Sequence, residues 1–174
     1  MMAYHYLMID GSLNPGAMEA LYAPEMALEV WPLLHTTPYA ALAPSGPLLV
    51  VIEPDSHVDR QWQGQQLPYR HAWRWTGTMA PDEAALHWRA RLIMRAPFER
   101  DVWLRFADAR VIARALQREA MPPGFWEHTV SLQLPGEGAL SPLAQRQRSG
   151  SLPFFLSERQ LEALAAPSDT QEVA

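Results

Sequence analysis

Residues 86–116, LHWRARLIMRAPFERDVWLRFADARVIARAL, decide how this chain is read. The pattern predicts helix, turn, strand, turn, helix. The same region concentrates the positive charge. Residues 89–118 hold eight arginines against three acids, a balance of +5, while the remainder, with six arginines and sixteen acids, stands at −10. So lopsided a division in an acidic chain points to a contact surface for another molecule.

The first helix of this stretch opens at Pro81-Asp82-Glu83, with acids in the turn where the macrodipole favours them. Its projection puts Ala85, Leu86, Leu92 and Ile93 on the inward face, Arg89 in the middle of that face, and Arg91 and Arg95 on the opposite side. A guanidinium on an apolar face must be paired, because an unpaired buried charge is costly. Asp10, at the end of the first strand, and Asp108, at the start of the next helix, are the obvious carboxylates. Arg89 is therefore expected in a structural ion pair rather than in a ligand site. The strand is expected over residues 102–106, and Asp108 is placed to N-cap a helix that turns Ile112, Ala113 and Leu116 inward. Arg110, Arg114 and Arg118 form a ridge with no acid between them. Like charges at that spacing cost roughly 0.2–0.5 kcal/mol per pair, so the ridge is either a solvated face or a surface kept for a partner.

Working outward, residues 4–9 predict a strand stopped by Asp10-Gly11, and Asn14-Pro15 an N-cap for a helix over 17–22. Residues 29–34 predict a second strand. Thr37-Pro38 opens a helical turn over 39–42, and Gly46-Pro47 punctuates before residues 48–52, a strand apolar at every position and so buried on both faces. A helical turn is expected over 58–63 and a strand over 72–78. After Pro122-Pro123-Gly124, residues 129–134 alternate, with Val130, Leu132 and Leu134 on one face. Ser157 caps a last helix over 158–165, and residues 166–174 read as a frayed tail. The expected fold class is an α/β sandwich, a mixed sheet flanked by helices in a single domain with a short variable C-terminal part.

Composition narrows the chemistry. Cysteine and lysine are both absent from the 174 residues, which removes disulfides, thiol nucleophiles, Schiff bases and the P-loop lysine. The six histidines show no metal spacing, and no serine sits in G-x-S-x-G. No cofactor or metal is expected. MMAYHYLMIDGS lacks a basic stretch and meets Asp10, so no signal peptide is expected. Residues 46–52 are far short of the roughly 20 needed to cross a bilayer. The expectation is a soluble, cytoplasmic protein without a membrane partner.

One ordered set of residues supports a resemblance. It comprises Asp10-Gly11, Leu13, Leu21-Tyr22, Thr37-Pro38-Tyr39 with Leu42, and Gly46-Pro47-Leu48-Leu49-Val50. Trp62, Trp75-Thr76-Gly77, His87-Trp88-Arg89 with Leu92, and residues 104–111 (LRFADARV) complete it. On these residues the chain resembles the effector adaptor/chaperone family of bacterial type VI secretion systems, first described as a domain of unknown function. The resemblance implies a family-type lobe over residues 1–125 and a variable part over 126–165 that selects cargo, ahead of the flexible tail that composition gives over 166–174. It implies a non-enzymatic protein that binds a cognate secreted effector in the cytoplasm and helps load it onto the C-terminal region of the valine–glycine-repeat spike. It also implies that Asp10, Arg89, Asp108 and Arg110 form a structural ion-pair network.

Two surfaces are expected to meet partners. One is the ridge Arg110, Arg114 and Arg118. The other is the set of apolar anchors Phe125, Trp126, Phe154 and Phe155. Two other classes stay open: a small hydrolase-like enzyme, which needs Asp10, His35 or His87 to converge in a pocket, and a nucleic-acid module using the arginine ridge. The net charge of −5 argues against the second, so no nucleic-acid partner is expected.

Overall fold

A strand that is apolar on both faces needs cover on both, and the first strand of this chain, fully buried from Tyr6 to Ile9, sets that requirement. The computed structural model describes residues 2–26, 28–142 and 150–165. In chain order these form β1 (Tyr4–Asp10), α1 (Ala17–Tyr22), β2 (Val30–Pro32), a 3-10 helix (Ala40–Ser45), β3 (Pro47–Val51), α2 (His57–Gln63) and β4 (Trp73–Gly77). They continue with α3 (Pro81–Arg89), β5 (Ile93–Ala96), β6 (Arg100–Trp103), α4 (Ala109–Gln117), β7 (Thr129–Gln133) and α5 (Glu158–Ala165).

The main sheet runs β2-β3-β1-β4-β7, and β5 and β6 form a separate hairpin. One face of the sheet turns Tyr6, Met8, Leu49, Trp73, Trp75 and Leu132 towards α3, α4 and α5. The other turns Leu7, Ile9, Leu48, Val50 and Ala72 towards α1 and α2. Each fully buried aliphatic side chain contributes about 1.5–3 kcal/mol, so the two apolar faces fix the three layers. The expected α/β class, a sheet flanked by helices, is what forms. Its strands all pair antiparallel rather than in the mixed sense expected. Alternation of helices and strands sets the class of a fold without setting the direction of its strands.

The stretch 86–116 departs from its expected reading in several places. The strand expected over 102–106 runs over 100–103, and α4 buries Ala109, Val111, Ile112 and Ala115 with Ala113 and Leu116 only half-buried. A further strand takes the place of the end of the first helix. Helix α3 stops at Arg89, and residues 93–96 join β6 as a hairpin, with Ile93 opposite Trp103 and Ala96 opposite Arg100. The connecting turn holds Phe98 and Glu99 at φ of 62° and 56°, a conformation in which glycine or asparagine is usual. The hairpin therefore lacks its ordinary sequence signal. The shorter helix also rotates the inward face. Ala84, Ala85 and Trp88 are buried, whereas Leu86 is 65% exposed. The bulk of Trp88 sets the face, and Arg91 follows it inward.

Two further expectations change for local reasons. Val130 points outward because a bulge inserts it between the Thr76–Ser131 and Gly77–Thr129 pairs. Asn14 does not cap α1, whose N-cap is Gly16. Fully buried, Asn14 instead bridges Asp10 to Arg70: its Nδ2 donates to both carbonyls and its Oδ1 accepts from the Arg70 N–H at 2.7 Å. The expected caps at Asp108 and Ser157 do form, the latter with Gln160 answering back onto the Ser157 N–H.

The C-terminal part is built into the core. Strand β7 forms the edge beside β4, and Phe154, Leu156 and Leu164 are buried with Phe125 and Trp126. The tail expected over 166–174 lies outside the described residues, as do residues 143–149.

Candidate functional site

The end of β1 organises the polar side of the site. Asp10 is buried, and its Oδ1 accepts the Ser12 N–H at 2.8 Å and the Ser12 hydroxyl at 2.6 Å, a turn-forming pattern. Gly11 must be glycine there, since a Cβ would stand 2.2 Å from the Pro44 carbonyl oxygen. The second carboxylate oxygen of Asp10 accepts from Arg105 Nη2 at 2.8 Å, and that nitrogen also reaches the Ser12 hydroxyl. A second pair stands nearby. Asp108 caps α4 and takes both Nε and Nη2 of Arg110, at 3.0 and 2.9 Å. Burial pushes the Asp108 carboxyl up, but the Arg110 hydrogen bonds outweigh it and hold its pKa below the ordinary value. The Arg110 guanidinium rises correspondingly, through the Asp108 hydrogen bond first.

Of the four residues expected in one ion-pair network, Asp10, Asp108 and Arg110 are in such pairs, and Arg105 occupies the place expected for Arg89. Arg89 is only partly buried. Its Nε donates to the Leu33 carbonyl at 2.9 Å, and among the described residues it meets no carboxylate. The buried arginine is Arg91. Its guanidinium donates to the carbonyls of Phe125, His87 and Gly124 at 2.8–3.0 Å and lies 5.0 Å from the Phe154 ring centroid. Burial draws its pKa down to about 10, opposed by Glu127. With Trp88 as the inward residue of α3, Arg91 takes the buried place expected of Arg89.

The surfaces expected for partners are largely committed elsewhere. Arg114 Nε and Arg118 Nη1 donate to the carbonyls of Leu164 and Ala163 at 2.8 and 2.9 Å, holding the C-terminal end of α5. Phe125, Trp126 and Phe154 are buried in the core. Only Phe155 of that set faces solvent. The four aromatics stand as two adjacent pairs, Phe125-Trp126 and Phe154-Phe155, and nothing in that pattern says which rings are inward.

A feature without an expected counterpart lies beside the Asp10–Arg105 pair. It is a cleft of about 250 Å³ lined by Leu34, Leu42, Leu92, Trp103, Leu104 and Phe106. Tyr39 packs edge-on against Trp103 at 4.7 Å, and Tyr39, Leu42 and Trp103 are 40%, 56% and 46% exposed. A tight Asp-Gly turn, a 3-10 helix and the base of a hairpin meet there. The signal available in the sequence was Thr37-Pro38-Tyr39 with Leu42, which recurs in the resemblance without an assigned place in the core.

His87 lies in a different cavity, with Glu127, His128 and Arg91, so it does not share a pocket with Asp10, and His35 is exposed. Among the described residues, no group of three or more His, Asp or Glu side chains is placed to hold a metal ion, and no helix is long and apolar enough to cross a membrane.

A family model described as a domain of unknown function, DUF4123, matches residues 5–123. The chain belongs to the DUF4123 family. The matched segment contains both ion pairs and every residue named in the lining of the cleft. It stops short of β7 and α5, which complete the DUF4123 core in this chain. No curated protein and no solved structure matches the chain.

Proposed function

We propose that this DUF4123 chain is a non-enzymatic adaptor, or chaperone, that binds a secreted effector of a type VI secretion system in the cytoplasm and helps load it onto the valine–glycine-repeat spike. The observation that carries the reading is the surface around the cleft. Tyr39, Leu42 and Trp103 stand together in solvent at the mouth of an apolar cavity, beside the outward guanidinium of Arg105. Clustered exposed aromatic and apolar groups next to an arginine are the composition of a protein-contact hot spot. The ordered motifs from Asp10-Gly11 to residues 104–111 supply the class of partner, and they fall within the family match.

The nucleic-acid alternative draws less support. Two of the three ridge arginines already hold α5, and Arg110 is paired with Asp108. The test is co-expression of the chain with the product of a neighbouring toxin gene, with and without the spike's C-terminal region. A stoichiometric complex that persists through gel filtration is expected. An effector that stays soluble and reaches the spike equally well without this chain contradicts the proposal.

A further inference from the structure

The hairpin that the sequence concealed has one covered edge and one open one. Leu104 N donates to the Leu92 carbonyl at 2.9 Å, which sets the alternation of the β5–β6 ladder. Arg95 therefore turns its backbone groups away from β6, and the chain itself takes them: Arg95 N donates to the Phe154 carbonyl and Leu156 N donates to the Arg95 carbonyl, both at 2.8 Å. By the same alternation Asp101 and Trp103 turn their N–H and C=O groups away from β5. Among the described residues no strand lies on that side. An open edge of this kind is a template for strand addition.

We propose that the outer edge of β6 receives an extended segment of the partner protein as an added strand, which sets a bulky apolar side chain in the cleft and a carboxylate on Arg105. The inference rests on the adaptor reading and names the chemistry of its contact. Three observations converge on that occupant. Trp103 belongs to both the open edge and the cleft wall, so a strand paired with it runs on into the cavity. The cavity floor from Leu104 and Phe106 is apolar and of a size for one large side chain. The charge at its mouth is one-sided. Arg105, in the cleft wall, is 53% exposed over an Asp10 side chain that is 7% exposed, so the pair shows its positive end to solvent, and the Arg110–Asp108 pair that follows it in the chain is built alike, 48% against 7%. The pairs further along the hairpin, Arg95–Asp101 and Arg100–Glu158, expose both partners alike and cancel. Alternate residues of an added strand point to one face, so an apolar residue and an acid at even spacing meet the cleft and Arg105 together.

The experiment selects a random dodecapeptide display library on the full chain and titrates the strongest peptide calorimetrically. The expected peptides combine Trp, Phe or Leu with Asp or Glu at even spacing. Trp103→Ala and Leu42→Asp, each confirmed as folded by circular dichroism, weaken binding by at least about tenfold, the loss of one interface hot spot. Arg105→Gln removes most of the salt dependence. N-methylation of the peptide blocks binding at every second residue and is tolerated between, the signature of a strand ladder. Absence of enriched peptides, binding indifferent to Trp103 and Leu42, or methylation effects without alternation each overturn the proposal. So does a dimer of the chain that Trp103→Ala dissolves, because a second copy is then the occupant. An effector complex untouched by these variants removes this inference and leaves the adaptor reading standing. Peptides held at the edge by a chain that forms no effector complex do the reverse.

Discussion

Arg91 and Arg89 sit on the same short segment and differ in what they hold together. Arg91 satisfies three buried carbonyls from two parts of the chain, and its guanidinium is enclosed by the rings of Trp88, Phe125 and Phe154. Each buried acceptor left without a donor costs about 1–3 kcal/mol, so Arg91→Ala is expected to lose at least about 3 kcal/mol. Arg89→Ala removes a single bond to Leu33 at a part-exposed site and is expected to cost about 1 kcal/mol. Urea unfolding of both variants decides the order; equal losses contradict the assignment. His87 offers a pH test. It stacks on Trp75 at 5.8 Å, and burial, then Arg91 and His128, lower its pKa from 6.5 to about 2. The unfolded chain takes up a proton below about pH 6.5 that the folded chain refuses. Stability is therefore lost as the pH drops below about 6.5, by up to about 1.4 kcal/mol per unit from this residue. His5 and His71 are lowered as well, by burial first, and act in the same direction in both proteins compared. His87→Phe is expected to narrow the stability difference between pH 7 and pH 5, and an unchanged difference refutes the role given to His87.

At the scale of elements, α5 depends on α4 through two guanidinium groups placed at its negative end. Cations there contribute about 0.3–1 kcal/mol each. Arg114→Gln with Arg118→Gln is expected to speed hydrogen exchange across residues 158–165 while leaving α4 protected; equal exchange in both proteins shows that apolar contacts alone seat the helix. Most elements were legible because their signals are local. The run 48–52 could be buried on both faces only in a covered sheet, and Asp108 and Ser157 carried their caps with them. β5 was not legible, since Leu92, Ile93 and Met94 fit either period and the turn at Phe98-Glu99 uses neither glycine nor asparagine. Because α3 ends at Arg89 instead of running on through Leu92 and Ile93, it turns Trp88 inward and Leu86 outward, and Arg91 rather than Arg89 is the buried arginine. Val130 was misplaced by a bulge that no pattern of alternation contains.

Over the whole molecule, the charge asymmetry was real in sequence and is partly resolved in space. Arg91, Arg114 and Arg118 are bound to carbonyls, and Arg95, Arg100, Arg105 and Arg110 to carboxylates. Arg114 and Arg118 keep their charge, since a carbonyl does not neutralise it, while at Arg105, in the cleft wall, and at Arg110 the guanidinium faces solvent over a buried carboxylate. The site was half legible for the same reason: Asp10 and Asp108 were visible as carboxylates at element ends, whereas the cleft is made by segments far apart in sequence. The family match likewise ends before the fold does. A chain ending at residue 123 loses β7 together with Phe125, Trp126 and Phe154, all buried, and is expected to aggregate or to bind a hydrophobic dye. A soluble truncated form with the parent near-ultraviolet circular dichroism contradicts that integration.

The most direct test of the account is a hydrogen-exchange footprint of the full chain, free and in complex with the co-expressed effector. The account predicts a complex in which protection gathers on residues 38–46 and 99–106, around Tyr39, Leu42, Trp103 and Arg105, with little change along α4. A stable complex that protects other segments and leaves these exchanging as in the free chain, or no complex at all, contradicts it.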